Sequence, residues 1–307
     1  STRTELRAGT EGRTEMSERP RVVVTGLGLV TPVGLDVEST WSALLVGESG
    51  AAPITQFDAS GLSTRFAGQI KDFDVDRYVD AKNQRRIDPF MHYGIAACKQ
   101  AIADSGIEVT DRNSSRIGVA FGSGIGGIET IEVNCTKYLE SGRLPRRISP
   151  FFIPGSIINM VAGHVSIAYG IQGPNLSLVT ACTTATHNIG IAARCIAYGD
   201  ADLMVAGGAE MATTALGLGG FCSAKALSTR NDDPRSASRP FDRDRDGFVV
   251  GEGSGILIIE SLDHALERGA NIYAELTGYG MSGDGYHMTS PPPDGDGAVR
   301  CMQAALD

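Results

Sequence analysis

Cys182 is the residue whose type and setting most suggest chemistry. It lies in the stretch Leu176-Ser177-Leu178-Val179-Thr180-Ala181-Cys182-Thr183-Thr184-Ala185-Thr186-His187-Asn188-Ile189-Gly190. Residues before it form an apolar, β-branched run, and small or apolar residues after it recur at helical spacing through Ala197. The pattern predicts a buried strand, a sharp turn at Cys182 and a buried helix starting just beyond. A thiol there faces unpaired backbone N–H groups and the positive end of a helix dipole, both of which favour thiolate. A lone cysteine is also a small core residue, and position does not choose between the two. His187 is the nearest candidate base. On a helix it lies more than a turn away with its side chain rotated off, so it is read as a packing residue.

A second chemical pattern is G-x-G-x-x-G at Gly122, Gly124 and Gly127, behind an apolar run at 116–121. This is the dinucleotide fingerprint, but it falls far into the chain rather than in a first βαβ unit. It reads better as a glycine loop that lets a substrate approach the backbone. Asp242, Asp244, Asp246 and Gly247 imitate the start of a calcium loop. The imitation fails at the twelfth position, which is Gly253, with Glu252 one place early.

The elements that must position these residues are those of a large α/β protein. The chain has 307 residues, 42% of them hydrophobic, with 39 glycines and a net charge of −9. That length supports a large core or two domains, and that charge argues against a nucleic-acid or membrane-surface binder. Six cysteines show no C-x-x-C and no clustering with histidine. No metal site and no cofactor are expected, and a reduced, cytoplasmic setting is (the plastid stroma for a plant or alga). No apolar run approaches membrane-spanning length. Residues 1–20, rich in Arg and Glu, are read as a leader, tag or disordered start.

Strands are predicted at 22–32, 116–121, 202–210 and 248–260, and helices at 37–45, 90–103 and 262–268, with a helical middle in 151–169. Residues 53–73 read as irregular, 134–150 as a polar connection, 217–221 and 223–229 as loops, and 232–245 as surface. Two echoes suggest an internal duplication. Thr25-Gly26-Leu27-Gly28 recurs as Thr277-Gly278-Tyr279-Gly280, and residues 94–104 recur at 297–307 with five of eleven positions identical. The expected domains are therefore 21–270, carrying Cys182, and 271–307, the start of a second half.

Several motifs carry a family resemblance. Thr180-Ala181-Cys182-Thr183, Val205-Ala206-Gly207-Gly208-Ala209-Glu210, Ala226-Leu227-Ser228-Thr229, Arg239-Pro240-Phe241-Asp242 with Arg245-Asp246-Gly247-Phe248, and Tyr286-His287-Met288-Thr289-Ser290-Pro291 resemble β-ketoacyl-[acyl-carrier-protein] synthases, closest to the type II class. The resemblance covers residues 21–307. It implies an α/β thiolase-like fold of duplicated halves in five layers, αβαβα, acting as a homodimer. It implies fatty-acyl elongation by decarboxylating condensation, with acyl carrier protein and acyl and malonyl thioesters as partners. Cys182 matches the nucleophile, its own N–H matching one oxyanion donor.

The same resemblance implies that Ile125, facing the pocket across the dimer interface, limits chain length, that Phe221 lines that pocket, and that Thr289 lies in the pantetheine and malonyl channel. Lys82, Arg85, Arg86, Arg146, Arg147 and Lys225 are the candidate patch for acidic carrier protein. The family's two catalytic histidines and lysine belong to H-G-T and N-x-x-F-G-F-G-G-like motifs, and neither occurs here. His287 is not one of them. The expectation is a synthase lacking about its last quarter, inactive alone in condensation. A polyketide ketosynthase and a non-catalytic chain-length-factor-like subunit are the alternatives.

Overall fold

The computed structural model describes residues 19–307, so the leader read into 1–20 lies almost wholly outside the described residues. The strands are β1 (Val22–Val30), β2 (Ala51–Pro53), β3 (Phe66–Gly68), β4 (Ile117–Gly122), β5 (Asn175–Leu176), β6 (Leu203–Glu210), β7 (Gly253–Ser261) and β8 (Ala274–Leu276). The helices are α1 (Val37–Leu45), α2 (Ala81–Gln84), α3 (Pro89–Ser105), α4 (Ile128–Glu140), α5 (Phe152–Ser156), α6 (Met160–Tyr169), α7 (Thr184–Ala197), α8 (Ala215–Ser223), α9 (Leu262–Glu267) and α10 (Asp296–Leu306).

Six strands form one sheet in the order β5-β4-β6-β7-β1-β8. β4 runs parallel to β5 and β6, whereas β7 is antiparallel to β6 and β1. The sheet is covered on both faces, and alternation along each strand divides the core. Val119, Phe121, Val205, Ile256 and Ile258 pack under α3 and α6 with Phe90, Met91 and Val161. Ala120, Met204, Ala206 and Ile259 pack under α7 with Ala192 and Ile196. Helix, sheet and helix thus make three of the five layers the resemblance implies.

The duplication has a geometric counterpart. A Cβ at Gly28 would run into the carbonyl oxygen of Ala97 and the N–H of Ala101 in α3. A Cβ at Gly280 would meet the carbonyl of Cys301 and the N–H of Ala305 in α10 in the same way. The first echo therefore marks a repeated packing of a glycine pair against a helix, although Gly278 and Gly280 lie just past the end of β8. The second echo is out of register by one residue: packing equates Ala97 with Cys301, whereas the sequence match equates Cys98 with Cys301. Small residues at the contact fix the structural register. β8, beyond the expected boundary at 270, completes the edge of the first sheet against β1.

Several local expectations need correction. The strand before Cys182 is two residues long, and 177–180 leaves the sheet. Helix α4 occupies much of the supposed polar connection; its polarity reflects a face with only Asn134 buried. Residues 217–221 belong to helix α8. Its glycines lower helix propensity, but Thr214 caps it by accepting from the Gly217 N–H at 3.0 Å, and Leu218 is fully buried. Phe248-Val249-Val250 is not part of β7, which begins at Gly253. Gly247 at φ +147° turns the chain there, leaving Phe248 a lone bridge to Leu227. The 53–73 stretch includes β3, paired with β2, and 151–169, expected to be helical in its middle, is helical on either side of a break at 157–159.

Candidate active site

The parallel strands β4, β5 and β6 all finish at one end of the sheet, where ligand crevices form in open α/β folds. The chain leaves β5 at Leu176 and must reach the start of α7 without ladder partners. Side chains of α7 supply them. Asn188 Oδ1 accepts from the Leu178 N–H at 3.1 Å, and its Nδ2 donates to the carbonyls of Leu178 and Thr184 at 3.1 and 2.8 Å. Thr184 Oγ1 accepts from the Thr180 N–H at 2.8 Å. Asn188 and Thr184 are both buried. A Cβ at Gly122 would strike Leu178, Thr184 and Asn188 together, so β4 can approach this knot only with glycine.

Ala181 then takes φ +52°, a left-handed conformation that costs a non-glycine residue. It swings Cys182 out of the interior, in a single 3₁₀ turn, Ala181–Thr183, leading into α7. The Cys182 side is exposed, and its backbone N–H finds no acceptor among the described residues. Cys98, by contrast, is wholly buried, and burial pushes its thiol up.

Cys182 borders a cavity of about 530 Å³. Ile125, Phe221, Phe248 and the glycine-rich 251–255 segment also line it. Phe221 meets Phe248 edge-on, with ring centroids 5.3 Å apart. The structure therefore brings Cys182, Ile125 and Phe221 together. It does not bring Thr289 there. Thr289 lies on an exposed loop, its N–H donating to His287 Nδ1 at 3.1 Å.

Glu210, at the end of β6, was missed as a site residue although it stood in a quoted motif. Its carboxylate accepts from Ser123 Oγ at 2.8 Å and from the N–H groups of Gly124 and Ile125 at 2.8 and 3.0 Å. Ser123 Oγ in turn accepts from the Gly126 N–H at 2.9 Å. The glycine loop is thus an anion cradle, but the protein's own carboxylate fills it. That is the physical reason the dinucleotide reading fails. Burial pushes the Glu210 carboxyl up, against the lowering effect of Ser123 and the loop N–H groups. Nearby Asp88 is raised to about 6, chiefly by burial, although it accepts from the Thr130 N–H at 2.8 Å.

His187 Nδ1 pairs with Thr180 Oγ1 at 2.7 Å, and its ring meets Tyr279 edge-on at 6.4 Å. These contacts fit the packing role. Arg85 and Arg86 border a separate cavity of about 300 Å³ with Lys137 and Phe151, and the Arg86 guanidinium lies 4.4 Å from the Phe151 ring centroid. Arg146 and Arg147 are exposed on a 3₁₀ turn packed against α4, and Lys82 is exposed on α2. Lys225 is separate, just past the end of α8 and one turn beyond Phe221 in the wall of the Cys182 cavity. Among the described residues there is no group of three metal-ligating side chains, and no helix is long and apolar enough to cross a membrane.

Residues 19–265 match the family model described as "Beta-ketoacyl synthase, N-terminal domain". The chain is 59% identical over 291 residues to 3-oxoacyl-[acyl-carrier-protein] synthase 2 of Vibrio cholerae, covering 95% of this chain and 70% of that one. Among solved structures, a β-ketoacyl synthase from Burkholderia phymatum superposes with a TM-score of 0.84 at 35% identity, covering 94% of this chain and 70% of that chain. A type II polyketide acyl-carrier protein in complex with its ketosynthase bound to the hexaketide matches at 33% identity and a TM-score of 0.84, over 94% of this chain and 69% of that chain.

Proposed function

The chain belongs to the β-ketoacyl synthase family, and from that premise we propose that Cys182 is the nucleophile of a 3-oxoacyl-[acyl-carrier-protein] synthase that elongates fatty acyl chains. The Cys182 thiolate attacks the carbonyl carbon of an acyl thioester on carrier protein. The tetrahedral oxyanion is met by the unpaired Cys182 N–H. Collapse expels the carrier's thiolate, which takes up a proton, and leaves the acyl group on Cys182. Malonyl thioester then loses carbon dioxide, and the resulting carbanion attacks the acyl carbonyl and releases Cys182 with the chain two carbons longer. The resemblance assigns decarboxylation to two histidines and a lysine in motifs this sequence does not contain, so no residue here is given that step.

The observation that carries this reading is the exposed thiol, held by a left-handed residue at the carboxyl ends of parallel strands and opening on an apolar cavity. Incubation with saturated acyl-carrier protein should add one acyl mass to the Cys182 peptide. No adduct, with Cys182 still open to alkylation, refutes the reading. The polyketide-type neighbour favours one second reading, in which β-ketoacyl donors acylate Cys182 in preference to saturated ones.

Two features support the partners. Arg85, Arg86, Arg146 and Arg147, with Lys82, offer cations to an acidic carrier protein. Reversing Arg86 and Arg146 together should raise about tenfold the acyl-carrier-protein concentration at which Cys182 acylation reaches half its maximal rate, and should spare alkylation of Cys182; an unchanged concentration removes the patch. Homodimerisation through the β5 edge is supported by that strand's open side, by exposed Val179 just after it, and by exposed Ile167 on α6, which packs against β5. A monomer by light scattering at micromolar concentration would exclude it.

A further inference from the structure

We infer that Glu210 is a positioning residue that sets how deep a chain attached to Cys182 can reach, by pinning the backbone of Ile125. The inference rests on the reading that Cys182 holds an acyl chain in this cavity. Its grounds are geometric. Glu210 Oε2 accepts from both the Gly124 and Ile125 N–H groups, and Oε1 accepts from Ser123, whose Oγ also holds Gly126. Four successive loop residues are thereby tied, directly or through Ser123, to the last residue of a central strand. A Cβ at Gly124 would lie 2.7 Å from Glu210 Oε2 and 3.2 Å from the Ala181 carbonyl oxygen. The loop, the carboxylate and the nucleophile turn are therefore packed as one unit. Ile125 is 37% exposed and lines the cavity, and its N–H is held by the Glu210 carboxylate. Its place is set from the backbone.

No charged donor faces Glu210 in these contacts, so the role needs its acceptor geometry rather than its charge. Glutamine at 210 can turn its oxygen to Gly124 and Ile125 and donate its amide to Ser123 Oγ. Alanine can do neither.

The test labels Cys182 of the full chain with N-alkylmaleimides of graded length, ethyl to dodecyl, and follows the Cys182 peptide by mass. Thiol addition to maleimide requires no acyltransferase activity. Glu210→Ala should raise the dodecyl-to-ethyl rate ratio about fivefold, because the freed loop lets Ile125 retreat. Glu210→Gln should keep the parental ratio, and Ser123→Ala should shift it in the same direction by less. An unchanged ratio in Glu210→Ala overturns the inference. So does a Glu210→Gln shift as large as that of alanine, which would mean that the charge acts. If Glu210→Ala does not fold, an unchanged ratio in Ser123→Ala overturns it alone. Failure of acyl-carrier protein to acylate Cys182 would refute the acyl reading and leave these ratios interpretable.

Discussion

Two carboxylates mark opposite ends of the central sheet. Glu210 closes β6 at the end where the Cys182 turn sits. Glu260, near the end of β7, lies opposite Leu203 at the start of β6. Glu260 is fully buried and takes hydrogen bonds from Arg268 at 2.6 and 2.9 Å, from His264 at 2.6 Å and from Thr25. Burial opposes its charge, but Arg268, His264 and Thr25 outweigh it and hold the carboxyl at about 2. Glu210 meets only neutral donors, and burial raises it. One end spends its polar groups on charge pairing that ties β7, α9 and β1 together; Arg268 also donates to the Ser105 carbonyl of α3 at 2.8 Å. The other spends them on holding a loop beside an open cavity. Charge pairing and loop holding are divided between the ends of one sheet.

The largest effects should separate cleanly along that division. Cys182→Ala should abolish acylation while changing stability by less than about 0.5 kcal/mol, since the side chain is exposed. Arg268→Ala should do the reverse. It leaves Glu260 buried without its main partner, at a cost of about 3 kcal/mol in urea unfolding, with the rate of Cys182 alkylation unchanged. Slower alkylation in Arg268→Ala would show that the ends are coupled and break the comparison.

Acid should act on the two ends with opposite sign. Glu260 is depressed from 4.5 to about 2, so its contribution is complete above 4.5 and is lost as pH falls toward 2. Asp88, beside the cavity end, is raised from 3.8 to about 6, so the fold gains stability as pH falls through 6 toward 4. His264 is raised by its hydrogen bond to Glu260, so its contribution is present below 6.5 and fades as pH rises through its folded value. Stability should therefore peak on the acid side of neutrality, between about 4.5 and 6. Glu260→Gln should remove the loss on the acid side, and Asp88→Asn should flatten the decline above the maximum. A curve whose acid limb survives Glu260→Gln would place the acid-sensitive group elsewhere.

The sheet was legible because alternation and apolar runs record burial directly: β1, β4 and β6 fall within two residues of the pattern. The turn at Cys182 was legible from the change of period there, and the role proposed for its thiol came from motif resemblance. The knot beneath it was not. Asn188 and Thr184 act through hydrogen bonds to a segment ten and four residues earlier, and no periodicity records a side chain standing in for a ladder partner. Helix α8 was hidden because three glycines argue against helix locally, while burial of Leu218 outweighs them. Glu210 was hidden because a glycine cradle in sequence shows only that an anion fits, not whether the protein supplies it.

The smallest expected effect is the sharpest test of the division. Neutralising each carboxylate without changing its shape isolates the charge. At Glu260, glutamine leaves Arg268 and a histidine facing an amide, which should cost about 2–3 kcal/mol. At Glu210, glutamine faces the same neutral donors as before and removes a charge that burial disfavours, so the change should stay within about 1 kcal/mol and can be stabilising. Parallel urea titrations of Glu260→Gln and Glu210→Gln at pH 7 give both numbers. Equal losses would mean that the Glu210 carboxylate is held by its charge after all, and the contrast between a paired end and a loop-holding end would fail at its cleanest point.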